Sequence, residues 1–375
     1  MSRQAYTIAS SITFNSNTTP SYFTVVSGIN CDTVNYVQRY SPIVLAQVLQ
    51  LFLAFCSVAL IVCGTIVQNH TYFHPNVKTL LKTYHVAILM YGVFMGTAQM
   101  YHALTSMSFE SCELLISCRL CFGFRLISTA TIIMFSLLLF AIPLERTIAT
   151  QHLGRGYENR RSTIGQFLSW TTVTVSFMYS FVHHWSDFST NRVCTHCVYD
   201  QSRDLVPTEL VVSLAGLSTF SFLYTLFLWI FNKFKLRKKT YSLAIEFQII
   251  QNRRILHLIL PLSLLTSFAF LWNSLSPQVF DTSESVDPEK KQFHKILQNI
   301  FPLYSLLSSA IWLLMMISEK KKKRIGMVPA EIRKDEEDVY FQSLNDQWSR
   351  VPSQKPSCRL QLLTVFSAPR SSMAA

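Results

Sequence analysis

The sequence predicts an all-α membrane protein, a bundle of seven transmembrane helices with its N-terminus outside and its C-terminus in the cytoplasm. Three observations carry this expectation. Seven apolar stretches divide the chain, charged residues make up only 14% of it, and Lys and Arg crowd into alternate gaps between the stretches. Soluble globular chains carry about a quarter charged residues.

A hydrocarbon core of roughly 30 Å needs about 20 apolar helical residues. The stretches fall at 43–67, 80–104, 120–144, 164–182, 210–231, 255–275 and 296–317. Lipid offers backbone groups no hydrogen bonds, so runs of this length are helices. The second is trimmed by Lys82, His85 and His102, and the fourth is diluted by Gln166 and several Thr. Residues 1–42 form an outer N-terminal segment with no apolar core flanked by basic residues, so the first helix is expected to direct its own insertion. Residues 43–317 form the bundle, and 318–375 a cytoplasmic tail. Beyond 325 the tail turns polar and mixed in charge, a composition expected to stay disordered.

The formal net charge is +12. Seventeen Lys and Arg fall in alternate gaps: Lys78; Arg146, Arg155, Arg160 and Arg161; Lys233, Lys235, Arg237, Lys238, Lys239, Arg253 and Arg254; and 320–324. Six fall on the other side, at Arg39, Arg192, Arg203, Lys290, Lys291 and Lys295. The positive-inside rule places the first set in the cytoplasm, against anionic lipid headgroups. This distribution argues against nucleic acid as a partner. Asn17-Thr18-Thr19 is a glycosylation sequon on the expected outer side, and Asn69-His70-Thr71 is one on the inner side that should stay bare.

Nine cysteines divide by compartment. Cys56 and Cys63 lie in the first helix and Cys358 in the tail, where small-hydrophobe or lipidation roles are the default. Cys31, Cys112, Cys118, Cys121, Cys194 and Cys197 lie on the oxidising outer side, where disulfides are expected. Cys121 precedes Arg146 by 25 positions, about 37 Å along a helix. It therefore lies at the opposite membrane face, beneath the outer loop that carries Cys194 and Cys197. A bridge from Cys121 to either would pin that loop across the bundle mouth, with Cys197 slightly favoured. His183-His184 with Cys194-Thr195-His196-Cys197 also matches a zinc shell, but a metal-binding CxxC needs reduced thiols, so no metal is expected.

Between the third and fourth stretches the chain reads Leu144-Glu145-Arg146-Thr147-Ile148-Ala149-Thr150, then Tyr157-Glu158-Asn159. A Glu-Arg pair at the inner end of a long helix is either a snorkelling Arg beside a helix-end neighbour or a switch. In the second reading the acid holds the Arg at rest and frees it for a partner when helices move.

These residues resemble the nematode serpentine receptors, within them the grouping of classes alpha, alpha-beta, beta and epsilon. The resemblance covers roughly residues 36–324, and the Glu-Arg element is its most specific part. Phe73-His74-Pro75-Asn76 is similar to the family's FHxN element, and Cys112-Glu113-Leu114-Leu115 with Cys121-Phe122-Gly123-Phe124-Arg125 to its outer lead into the third helix. Residues 241–252, leading to Leu260-Pro261-Leu262, resemble its YxLSxxYQxxEN element, with Ala244 for Ser, Phe247 for Tyr and Gln251 for Glu. Phe247-Gln248 tilts slightly toward class epsilon, and the missing Glu at 251 puts in doubt an inner-face link that needs a charge there.

The resemblance implies a GPCR-like chemoreceptor at the plasma membrane of sensory neurons, in the cilium, taking a small-molecule ligand from outside and a heterotrimeric G protein inside. It implies Glu145 and Arg146 as coupling elements and Cys121 as the bridge to the second outer loop. Two hallmarks of rhodopsin-like receptors are absent: Pro302-Leu303-Tyr304 stands without Asn-Pro-x-x-Tyr, and Pro261 without Cys-Trp-x-Pro.

A charged ligand is normally met by an ionisable group deep in a bundle. Arg125, about one turn below Cys121, is the strong candidate at the mouth, against snorkelling or pairing with Glu113. His102, at the outer end of the second helix, is a second candidate against an interfacial role. The remaining centres carry Ser, Thr, Phe, Tyr and Trp, which suit a small and mostly apolar molecule. The gap 231–254 either extends the fifth or sixth helix as a G-protein contact or lies on the membrane as a basic interfacial helix.

No P-loop, dinucleotide turn, HExxH or paired carboxylate appears, so the chain reads as a non-enzyme with no cofactor. An inverted ligand-gated cation channel is the main rival, opposed by the charge bias. A transporter comes third, because no internal repeat is visible and Pro143, Pro261 and Pro302 are expected near helix ends.

Overall fold

The first six apolar stretches each sit inside one helix of the computed structural model, and the seventh, 296–317, begins five residues before its helix; the structure describes residues 41–68, 73–108, 116–151, 163–189, 193–194, 197, 208–237, 243–280, 293, 295–296 and 298–325. The helices are α1 (Ser41–Gln68), α2 (Pro75–Ser108), α3 (Cys118–Gln151), α4 (Thr163–Ser189), α5 (Thr208–Arg237), α6 (Leu243–Phe280) and α7 (Phe301–Ile325). Five of them, all but α2 and α4, are long and apolar enough to cross a membrane by length and composition. The same two were diluted by polar residues in the sequence.

The helices outrun the apolar stretches because polar residues that cannot sit in lipid can still continue a helix. α6 begins at Leu243, twelve positions before its apolar stretch, and α5 continues to Arg237. The basic gap is therefore built into both neighbours. One expectation needs correcting: Pro261 stands in the middle of α6, not near an end. Pro143 interrupts α3 two turns before its terminus.

α3 is the axial helix. It packs against α2, α4, α5 and α6, while α1 packs on α2 and α7, and α5 on α6. Burial follows this order, with 78% of the apolar part of α3 buried against 33% for α1 and for α5. The core runs through Tyr84, Tyr91, Phe135, Phe270, Tyr304 and Trp312, all fully buried. Phe52 on α1, Trp170 and Val182 on α4, and Phe227 on α5 are more than half exposed, forming the apolar surface that lipid covers.

Hydroxyls and amides stitch the interior. Gln99 donates to Gln50 Oε1 at 2.8 Å, and Gln50 Nε2 to the Ile296 carbonyl at 3.0 Å, joining α1, α2 and the chain before α7. Tyr84 lies 2.7 Å from the Tyr304 hydroxyl and 2.9 Å from Ser308 Oγ, and Thr266 adds α6 at 3.1 Å. Ser57 on α1 meets Ser305 and Ser309 on α7. Away from water such groups must pair with one another, which fixes the rotation of each helix.

Candidate functional site

Two polar clusters terminate the bundle, one at each end of α3. At its last turns the interior closes on Glu145 and Arg146, 0% and 2% exposed. Arg146 donates Nε to Glu145 Oε2 at 2.5 Å and Nη2 to Oε1 at 2.6 Å, a two-pronged ion pair. Its third prong, Nη1, reaches Asn252 Oδ1 on α6 at 2.7 Å. Asn252 Nδ2 then donates to Thr150 Oγ1, one turn beyond Arg146 on α3, at 3.2 Å. A planar guanidinium has donors on three sides, so one arginine can clasp its own helix and a neighbour together.

The turn before α2 closes the cluster from the other side. His74 Nδ1 lies 4.0 Å from Glu145 Oε1 and accepts the Asn76 backbone N–H at 3.4 Å. Burial pushes the His74 imidazole down to about 4, helped by the Arg146 guanidinium and opposed by the Glu145 carboxylate. Asn76 Oδ1 accepts the Gly165 N–H at 3.2 Å in the first turn of α4, satisfying a donor that has no partner within its own helix. A Cβ at position 165 would stand 2.4 Å from the Asn76 carbonyl oxygen, so only glycine lets the two helices approach this closely.

At the other end of α3, Cys121 and Cys197 are disulfide-bonded with Cα atoms 4.7 Å apart. The backbone of Cys197 is held twice more: Arg125 Nε donates to its carbonyl at 2.6 Å, and its N–H donates to His102 Nε2 at 2.9 Å. Arg125 and His102 are therefore buried and hold the backbone of Cys197. Both were candidates for ligand contact; the structure uses each on Cys197. Cys118 is also disulfide-bonded. Beside the bridge, Ile116–Ser117 pairs antiparallel with Val193–Cys194, tying the loop to the start of α3. His184 Nε2 lies 3.0 Å from Thr129 Oγ1. Among the described residues no group of three His, Cys, Asp or Glu is placed to hold a metal.

The sequence had Glu145 and Arg146 but not their partner. Asn252 was legible only as the last letter of a degenerate motif, and His74 and Asn76 as another. The hydrogen bond from Arg146 to α6 runs to the neutral amide of Asn252, one residue after Gln251. Asn17, Asn69, Cys31, Cys112, Glu113 and the tail beyond 325 lie outside the described residues, as do the side chains of Ala244, Phe247 and Cys194.

No curated protein matches the chain. A protein family does, over residues 28–349, which spans all seven helices; the chain belongs to that family, the serpentine type 7TM GPCR receptor class ab chemoreceptors.

Proposed function

We propose that this chemoreceptor signals through a heterotrimeric G protein, with the N-terminus outside, and that the Arg146 clasp between α3 and α6 is its resting lock. The observation that carries the proposal is the triple engagement of Arg146, buried and donating to Glu145 and to Asn252 of α6. Moving α6 away from α3 breaks the Asn252 bond first, since Glu145 travels with Arg146. Nη1 is then released for a partner while Nε and Nη2 stay on Glu145. Orientation rests on the charge bias; adding Arg3 and Arg119 on the outer side leaves seventeen against eight.

The ligand in this reading is small and mostly apolar. Histidines apart, the buried acidic and basic side chains among the described residues are Arg125, Glu145 and Arg146, and each is already engaged within the protein. A charged ligand would have to displace one of these contacts. Placement at the plasma membrane of a sensory cilium follows the family resemblance, as does the slight lean of Phe247-Gln248 toward class epsilon within a chain whose matched class is ab.

The test needs no ligand. Basal G-protein dissociation is read by resonance energy transfer across a panel of Gα subunits, for wild type, Asn252→Ala and Asn252→Ala/Arg146→Ala. Losing a charge-assisted hydrogen bond from the resting state should raise basal activity of Asn252→Ala about tenfold. The double variant should fall back to background at equal surface expression. Unchanged activity in Asn252→Ala, or persistence in the double variant, would sink the lock. Glycosidase shifts of Asn17→Gln and Asn69→Gln report orientation in the same cells, and a shift lost only with Asn69→Gln would favour the inverted channel.

A further inference from the structure

At the Arg146 end, α5 and α6 bring cations around one indole. Lys233 Nζ stands 5.6 Å from the Trp229 ring centroid, and the Arg253 guanidinium carbon, reaching over from α6, stands 5.8 Å from it. Lys235 Nζ lies 4.9 Å from the neighbouring Phe231 ring. Among the described residues none of these three cations makes a salt bridge. An aromatic face holds a cation through its quadrupole but leaves the formal charge uncompensated.

The indole contributes a second, independent observation. Its Nε1–H is buried and has no acceptor. An indole nitrogen only donates, and an interfacial Trp ordinarily turns that donor toward water or headgroups. Here the donor is enclosed at the rim where cations from two helices converge. An oxyanion at this rim would be attracted to both Lys233 and Arg253, and would accept from Nε1–H once the side chains that cover that donor move aside. A choline or ethanolamine phosphodiester brings its own cation and leaves the cluster in excess. A phosphomonoester carries about −1.5 to −2 charges and several strong acceptors, which suits the cluster.

We infer that the surface where α5 and α6 meet at Trp229, Lys233 and Arg253 binds the phosphomonoester of an anionic phospholipid headgroup, of the phosphorylated inositol class. Phe227, Ile230 and Phe231 are exposed on the adjoining surface of α5, where acyl chains would lie. This gives the site a lipid source for its phosphate rather than a soluble one. A headgroup held by both helices would bias the movement of α6 relative to α5. The site itself does not depend on the Arg146 lock.

Full-length receptor is reconstituted in phosphatidylcholine nanodiscs doped with phosphatidylinositol bisphosphate, or with phosphatidylserine at matched charge. Native mass spectrometry then counts retained lipid. Symmetric discs make the readout independent of orientation. Wild type should retain the bisphosphate lipid over the serine lipid by about tenfold, and Lys233→Gln/Arg253→Gln should lose that preference. Trp229→Phe keeps a ring for both cations but removes the N–H, and should lower retention about fivefold with an unchanged melting temperature. Equal retention of both lipids, or a Trp229→Phe protein that retains as wild type does, would overturn the site. Displacement by soluble inositol bisphosphate at equal concentration would assign the surface to free phosphate and overturn the lipid assignment.

Discussion

The two ends of α3 hold their neighbours by different chemistry. At the Cys121 end the loop is fastened covalently, and Arg125 and His102 add hydrogen bonds to the backbone of Cys197. At the Arg146 end no disulfide among the described residues crosses between helices. The hydrogen bond from Arg146 to α6 ends on one amide, and His74, just before α2, lies 4.0 Å from Glu145. A disulfide persists through thermal fluctuation, whereas a hydrogen bond to a charged group is worth only about 1.5–3 kcal/mol. The difference teaches which end is built to stay and which to open. Movement is expected where the fastening is reversible.

The comparison can be broken most forcefully at Glu145. Glu145→Gln leaves Arg146 buried without its compensating charge, which costs about 3–5 kcal/mol. Purified variant receptor should melt well below wild type by intrinsic fluorescence, and surface expression should fall. A melting temperature equal to that of wild type would mean that water already screens the pair.

Cys197→Ser attacks the other end. The bridge closes a separation of 76 residues, and losing such a cross-link costs about 2–5 kcal/mol. Reductant should lower the melting of wild type toward that of the variant while leaving the basal activity set by Asn252 unchanged. If reductant raised basal signalling as much as Asn252→Ala does, the two ends would be one cooperative unit and the contrast would fail.

The smallest effect sharpens the picture by pH. His74 is held near 4 in the fold against an ordinary 6.5, so between these values the unfolded chain binds more protons. Stability is therefore full above 6.5 and is lost as pH falls toward 4, at most about 1.4 kcal/mol per pH unit and less where water screens the turn. His74→Gln should flatten this part of the melting profile.

Much of this was legible beforehand, for identifiable reasons. Seven helices follow from the length of the apolar runs, since a bilayer leaves backbone amides no other partner. The weakness of α2 and α4 as spans was visible in Lys82, His102 and Gln166. Residues 144–150 marked the inner cluster and Cys121 the outer one, because each carries chemistry rare at a membrane boundary. What stayed hidden was the partner across space. Nothing in Arg125 or His102 announces that both will be used on the backbone of a cysteine more than seventy positions away.

By itself, then, the sequence determined the helical class, the seven long helices, and the ends of the bundle that carry charge and cysteine, and it marked Glu145 and Arg146 as neighbours. These are local properties, set by hydropathy along the chain and by adjacency within one helix. Only the tertiary structure decided that Asn252 rather than residue 251 receives Arg146, that Gly165 must be glycine to admit Asn76, and that cations from α5 and α6 converge on Trp229. Each depends on the rotation and axial offset of one helix against another. Those are set by how buried polar groups across the whole bundle find partners at once, a condition that no single stretch of chain contains.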